Sequence, residues 1–311
     1  MKRAGEKIIK SQKSKKYQSR LIVTAILSCG LLILGLIALL PPLFAADTPA
    51  APPGGFGVSL GPSQIRLEGA SGETQQSSVR IWNQSQSLMR FVIEIADLGN
   101  EVTADGQLNR VFLTPGSLPY SCAGWIQLEQ DDIEVEAGQF KDVKFLMAVP
   151  RDVSGGHAAV IFFRGMPAAE GAQESDPSKP TTSVQIQPRI GVLIFHEALG
   201  TVQRTGKLEN FGVTAPSDGE PLVMNYEFEN TGNVDILLDG SFYVLGANNA
   251  LAAKGRINTL RTFPGDHGRS MTDWEGALDP GKYHLVASFE LGPNSQEIIV
   301  READFEVFEE A

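Results

Sequence analysis

The chain has 311 residues, 42% of them hydrophobic and 20% charged, with a formal net charge of −11. That length favours about two domains, and the composition suits folded domains with real cores, not a disordered chain. Eight of the 26 Lys/Arg and one of the 37 Asp/Glu fall within the first 46 residues, leaving 18 basic against 36 acidic side chains on a surface that repels nucleic acid.

Residues 1–20 form a basic tail running from Lys2 to Arg20, and residues 21–40 hold no charge. Twenty residues in a helix span about 30 Å, the thickness of a bilayer's hydrocarbon core. The basic side of such a segment stays in the cytoplasm, so everything after it is expected outside. The run Pro41-Pro42-Leu43-Phe44-Ala45-Ala46-Asp47 has the small residues of a cleavage site. Residues 21–45 therefore read as a signal peptide or as a retained transmembrane anchor. Ile26-Leu27-Ser28-Cys29 is only loosely a lipobox, because the apolar run continues past the cysteine. Residues 46–57 are a Pro/Gly linker whose GFGVSLG continuation lacks the strand and helix that a nucleotide loop needs.

From residue 58 the pattern is all-β. Short runs at Ser63–Leu67, Ser77–Trp82, Leu88–Ala96, Trp125–Leu128, Ile133–Val135, Val143–Val149 and Gly155–Arg164 alternate apolar with polar residues or are apolar throughout. Turn residues separate them, at the spacing of an Ig-like β-sandwich over 58–199. Gly155–Arg164 is apolar on both faces and suits a central strand. Residues 97–124 and 166–182 read as long excursions. Asn83 heads an Asn-Gln-Ser sequon and is expected in a surface turn.

The last run of this domain, Ser183 to Gly200, has a period of two. Val184, Ile186, Ile190, Val192 and Ile194 share one face, while Ser183, Gln185, Gln187 and Arg189 share the other. Pro188 cannot donate to a ladder, which points to a sheet edge or a bulge. Beyond Gly191 the polar face turns apolar at Leu193 and Phe195, so something covers it. Either these two pack against the next domain, or they receive a partner strand with Arg189 as an anionic clamp.

Residues 200–311 read as a second Ig-like sandwich. Leu222–Glu229 ends at the turn Asn230-Thr231-Gly232-Asn233, Val234–Leu245 returns, and His284–Glu290 and Glu297–Phe308 close the pattern. Tyr283, two residues after Pro280-Gly281, has the placement of a tyrosine corner.

Motifs for chemistry are absent. His157, His196, His267 and His284 are scattered, no HExxH or Gly-x-Ser-x-Gly occurs, and the acids Asp131, Asp132, Glu134 and Glu136 make no calcium loop. Cys29 lies in the apolar run, so Cys122 is a lone thiol in the folded part, with no base near it in sequence. The expectation is a non-enzyme without metal, cofactor or catalytic residues.

One order of features is shared with known proteins. A strand ending in Asn, then Trp125-Ile126, Ala137-Gly138 and Val149-Pro150, precedes Gly155-Gly156-His157-Ala158-Ala159-Val160. This resembles bacterial exported Ig-like proteins of the WxL-interacting kind and, more distantly, the first domain of PapD-like pilus chaperones. In those chaperones the last strand of the domain pairs with a client subunit, and a basic residue binds the client's terminal carboxylate. The resemblance implies that Arg189, with Ile190, Val192, Leu193 and Phe195, lines the partner site, and that Arg66 on the first strand is a second basic contact. Departures are the absence of a Pro-rich segment before Ala137-Gly138 and the anchor, if it is retained. The expected role is an exported structural or protein-binding protein of the cell envelope. The alternative is an extracytoplasmic assembly chaperone that binds a client by edge-strand pairing. The partner would be another envelope or surface protein, with the membrane a second one through residues 21–40 if these are not cleaved.

Overall fold

The computed structural model describes residues 57–167, 187–217, 219–292, 295 and 297–309. The basic tail, the apolar segment at 21–45, most of the linker and the strand start at Ser183–Ile186 lie outside the described residues. Among the described residues, no helix is long and apolar enough to cross a membrane.

Ten strands form the first sandwich. They are β1 (Val58–Gly61), β2 (Gln64–Gly69), β3 (Thr74–Asn83), β4 (Met89–Val102), β5 (Leu108–Leu113), β6 (Ile126–Leu128), β7 (Asp132–Val135), β8 (Phe140–Ala148), β9 (Gly156–Pro167) and β10 (Arg189–Ala198). One sheet has the order β1-β3-β8-β6; the other runs β2-β10-β9-β4-β5, with β7 also on β4. The first two strands belong to different sheets: β1 pairs with β3, and β2 lies parallel to β10. The inward positions set by the alternation, among them Val79, Ile81, Val143, Phe145, Ile161, Phe163, Val192 and Ile194, make one buried core. Each such side chain contributes about 1.5–3 kcal/mol of transfer free energy.

The second sandwich comprises β11 (Gly206–Thr214), β12 (Leu222–Asn230), β13 (Ile236–Leu245), β14 (Leu251–Thr262), β15 (His267–Trp274), β16 (Gly281–Glu290) and β17 (Ile298–Val307). The sheets are β11-β12-β15 and β14-β13-β16-β17. Tyr226, Phe228, Phe242 and Phe289 lead its core. Tyr283 donates its hydroxyl to the Asp279 carbonyl at 2.7 Å, the bond of a tyrosine corner.

The structure revises several expectations. Asn83 is fully buried, not in an exposed turn. Its Nδ2 donates to the carbonyls of Ser87 and Val135, both at 2.8 Å, and its Oδ1 accepts from the Ser85 N–H. Both amide hydrogens are spent on backbone, which leaves no place for a glycan. β4 continues past Ala96 to Val102, because Asp97 is satisfied inside by the N–H groups of Gly116 and Leu118 and by the Ser121 hydroxyl. Its continuation pairs with β5, so the stretch 97–124 contains a hairpin whose turn is Asp105-Gly106. Pro188 sits just before β10, and its carbonyl accepts from the Gly165 N–H at 2.8 Å. β10 lies between β2 and β9 from Leu193 onward, while among the described residues Arg189–Val192, next to Pro188, pair with β9 alone.

Candidate functional site

β10 presents two faces. Val192 and Ile194 point into the core, while Arg189, Gly191, Leu193, Phe195 and Glu197 look outward. The outer positions divide into two neighbourhoods, one at each end of the strand.

At the C-terminal end the second sandwich covers the strand. Phe195 is fully buried, with the guanidiniums of Arg66 and Arg261 over its ring at 4.6 and 4.7 Å. It shares a cluster with Leu98, Tyr120, Ala158 and Phe263, and Phe263 stacks on Tyr120 with centroids 5.0 Å apart. Arg66 donates to Glu197 and, with two nitrogens at 2.9 Å, to Asp235 of the second sandwich. Arg261 reaches the same Asp235, and Arg204 reaches Glu197. Burial opposes the charge on Arg66, but the bonds and charges of Asp235 and Glu197 outweigh it and hold the guanidinium above its ordinary value. For Arg261, burial wins against Asp235, and the neighbouring Arg66 cation adds to the depression.

The backbones also meet closely here. Gly156 donates its N–H to the Asn233 carbonyl at 2.7 Å. A Cβ on Gly155 would stand 2.4 Å from that carbonyl, and one on Gly156 would stand 2.3 Å from the Val234 side chain. The Gly-Gly pair quoted from the sequence is therefore the surface on which the turn Asn230–Asn233 rests.

At the N-terminal end the strand is half open. β9 pairs with β10 from Arg189 to Glu197, whereas β2 begins only opposite Leu193. Among the described residues, Arg189–Val192 are therefore paired on one side. The Leu193 N–H bonds the Ser63 carbonyl, so by alternation the backbone groups of Arg189 and Gly191 face the open side. Gly191 allows the Phe162 ring to lie across the strand, since a Cβ there would stand 2.9 Å from the ring. The Arg189 guanidinium covers that ring at 3.5 Å and is half-exposed. Arg189 and Arg164 share one carboxylate, Glu94, at 3.5 and 3.0 Å.

The six residues singled out by sequence thus fall into two groups. Arg189 and the half-buried Ile190 flank the open edge, with Val192 behind it in the core. Arg66 and Phe195 lie in the joint between the sandwiches, and Leu193 bridges the two neighbourhoods. Sequence reasoning missed Asp235, Arg261 and Phe263, since nothing in a single sequence ties a β13–β15 segment to β10. Cys122 is fully buried, and burial raises its thiol far above the usual range, with the Asp97 charge adding to the effect. Among the described residues, no group of three or more His, Cys, Asp or Glu is placed to hold a metal ion.

No family model and no curated protein matches the chain. Solved structures do show similarity in fold. The class 5 fimbriae chaperone CfaA is 12% identical, with a TM-score of 0.43 over 79% of this chain and 98% of its own. The CsuC–CsuE chaperone–tip adhesion subunit complex of Acinetobacter baumannii gives 11% identity and a TM-score of 0.41, covering 78% and 97%. The Escherichia coli chaperone DraB gives 11% and 0.38, covering 80% and 96%. Similarity this distant carries no activity or partner across to this chain.

Proposed function

We propose that this chain is an exported, non-enzymatic protein of the cell envelope that binds another envelope or surface protein in the manner of an assembly chaperone. An extended segment of that partner would add along Arg189–Val192. The observation that carries this reading is the pairing of Arg189–Val192 on one side alone among the described residues, which makes the backbone groups of the other side a template for a further strand. Arg189 is the better anionic clamp of the two arginines. Arg66 is matched by Asp235 and Glu197, whereas Arg189 and Arg164 share a single carboxylate at a half-exposed position. Export rests on the basic tail and the apolar run after it. The WxL-interacting resemblance remains an expectation of the sequence pattern. A second reading, a purely structural envelope protein, is favoured by the burial of Phe195 against the second sandwich, which needs no partner.

Photo-crosslinking in cells separates the two. A reactive residue at Arg189 should form an adduct with one segment of one envelope protein, while the same residue at the exposed Ile298 of β17 should not. Adducts from both positions, or from neither, remove the strand-receiving reading.

A further inference from the structure

On the core side of the joint, β9 and β10 each carry a histidine that the reading above does not use. His157 and His196 are register partners on adjacent strands, and both rings pack on Trp125, with centroids 4.4 and 5.6 Å away. His196 is fully buried, and neither of its ring nitrogens has a hydrogen-bond partner. His157 meets the Ser154 carbonyl through Nε2 at 3.2 Å and leaves Nδ1 without a partner. Such a pair stays neutral, because an imidazolium there would have no carboxylate bonded to it and a second imidazole against it.

The charged groups around them confirm this. Glu73, in the turn after β2, is taken by the Ala70 N–H and the Gln75 amide. Glu197, on β10 itself, is taken by Arg66 and Arg204. From β9 the facing group is His157, and from the turn Ala123–Trp125 it is the uncharged indole. The residues next in line carry the joint: Gly156 bonds Asn233, and Glu197 anchors the Arg66 that holds Asp235.

We propose that His157 and His196 form an acid-operated release for the joint: protonating either ring drives the pair out of the core and frees the strand ends that hold the second sandwich. The idea stands whether or not β10 receives a partner strand. Burial holds both imidazoles below the ordinary histidine value, and for His196 the neighbouring imidazole adds to this. The unfolded or opened state therefore binds protons more readily than the closed one. Stability is fully present above about pH 6.5 and is lost as pH falls through that value toward the depressed one.

The test is amide hydrogen exchange on the full-length chain in detergent, at matched exchange rates from pH 7.5 to 5.0. Peptides covering Gly155–Ala158, Phe195–Ala198 and Asn233–Asp235 should lose protection across this range. Peptides from β13 and β16 should hold theirs. The variant His157→Asn with His196→Gln, which cannot charge, should keep its protection throughout. A wild type indifferent to pH, or a variant as sensitive as the wild type, overturns the proposal. Should the variant not fold, a nuclear magnetic resonance titration of the imidazoles decides on the wild type alone: the joint peptides should open over the pH range in which the His157 or His196 ring takes its proton, and opening while both rings stay neutral also overturns the proposal.

Discussion

Asp235 and Glu197 are nearly fully buried carboxylates, each lying under two guanidiniums, with Arg66 common to both. Three cations against two anions in a dry seam make an unequal network. A buried ion pair is weak evidence for stability, but removing one side of it strands the other. Asp235→Asn would leave Arg66 and Arg261 facing each other across the Phe195 ring, and Arg66 already depresses Arg261. The expected cost is about 3–5 kcal/mol in urea unfolding of the full-length chain. Arg66→Met should cost clearly less, because Asp235 keeps Arg261 and Glu197 keeps Arg204. The reverse ranking would mean that the surplus charge is not what strains this seam.

At the level of elements, the same corner is built twice. β3 and β12 each end in a buried asparagine whose Oδ1 accepts from the N–H two residues on, Ser85 in one and Gly232 in the other. Nδ2 donates to the carbonyl four residues on, Ser87 or Val234, and to a second strand or its neighbour at Val135 or Thr262. Asn83→Ala and Asn230→Ala each orphan buried backbone carbonyls, at about 1–3 kcal/mol per group left without a partner. Equal falls in melting temperature for the two are expected. A loss for one alone would show that the likeness of the corners is not one of energy. Only the Asn-then-turn pattern was legible in the sequence, and the sequon at Asn83 pointed the wrong way, because glycosylation motifs carry no information on burial. The strands with cores on one face, such as Leu222–Glu229 and the second half of Ser183–Gly200, were legible because burial forces alternation. β11, β14 and β15 were not. They lie at sheet edges, and stretches such as LAAKGRINTLRT put polar residues on both faces. The candidate site was half legible for a similar reason. The change of polarity at Leu193 and Phe195 announced a covering surface, but Phe263 and Asp235, which supply it, lie on segments far away in sequence.

For the molecule as a whole, the question is whether the two sandwiches move as one. The described residues form a single compact unit. Phe263 inserts against Tyr120 and Phe195, and Arg110 lies over the same Phe263 ring at 5.7 Å. The turn of the β4–β5 hairpin adds a second contact, since the Arg269 N–H bonds the Gly106 carbonyl at 2.7 Å and Leu108 covers Gly268. A joint with an apolar plug, an ion network and a backbone bridge resists hinge motion, in contrast to the small polar interfaces at which domains ordinarily swing. Calorimetry on the full-length protein should therefore give one cooperative transition for both sandwiches at neutral pH. Phe263→Ala removes the plug at an expected cost of about 3–5 kcal/mol. Most of that loss falls on the joint, because Phe263 belongs to the cluster with Leu98 and Tyr120 and not to the second sandwich's own core. The single transition should then split into two, with the circular dichroism of the higher one still that of a β-sandwich. Two transitions already present in the wild type would mean that the joint couples nothing, and that the contacts at Phe195 and Asp235 are surface packing between independent domains.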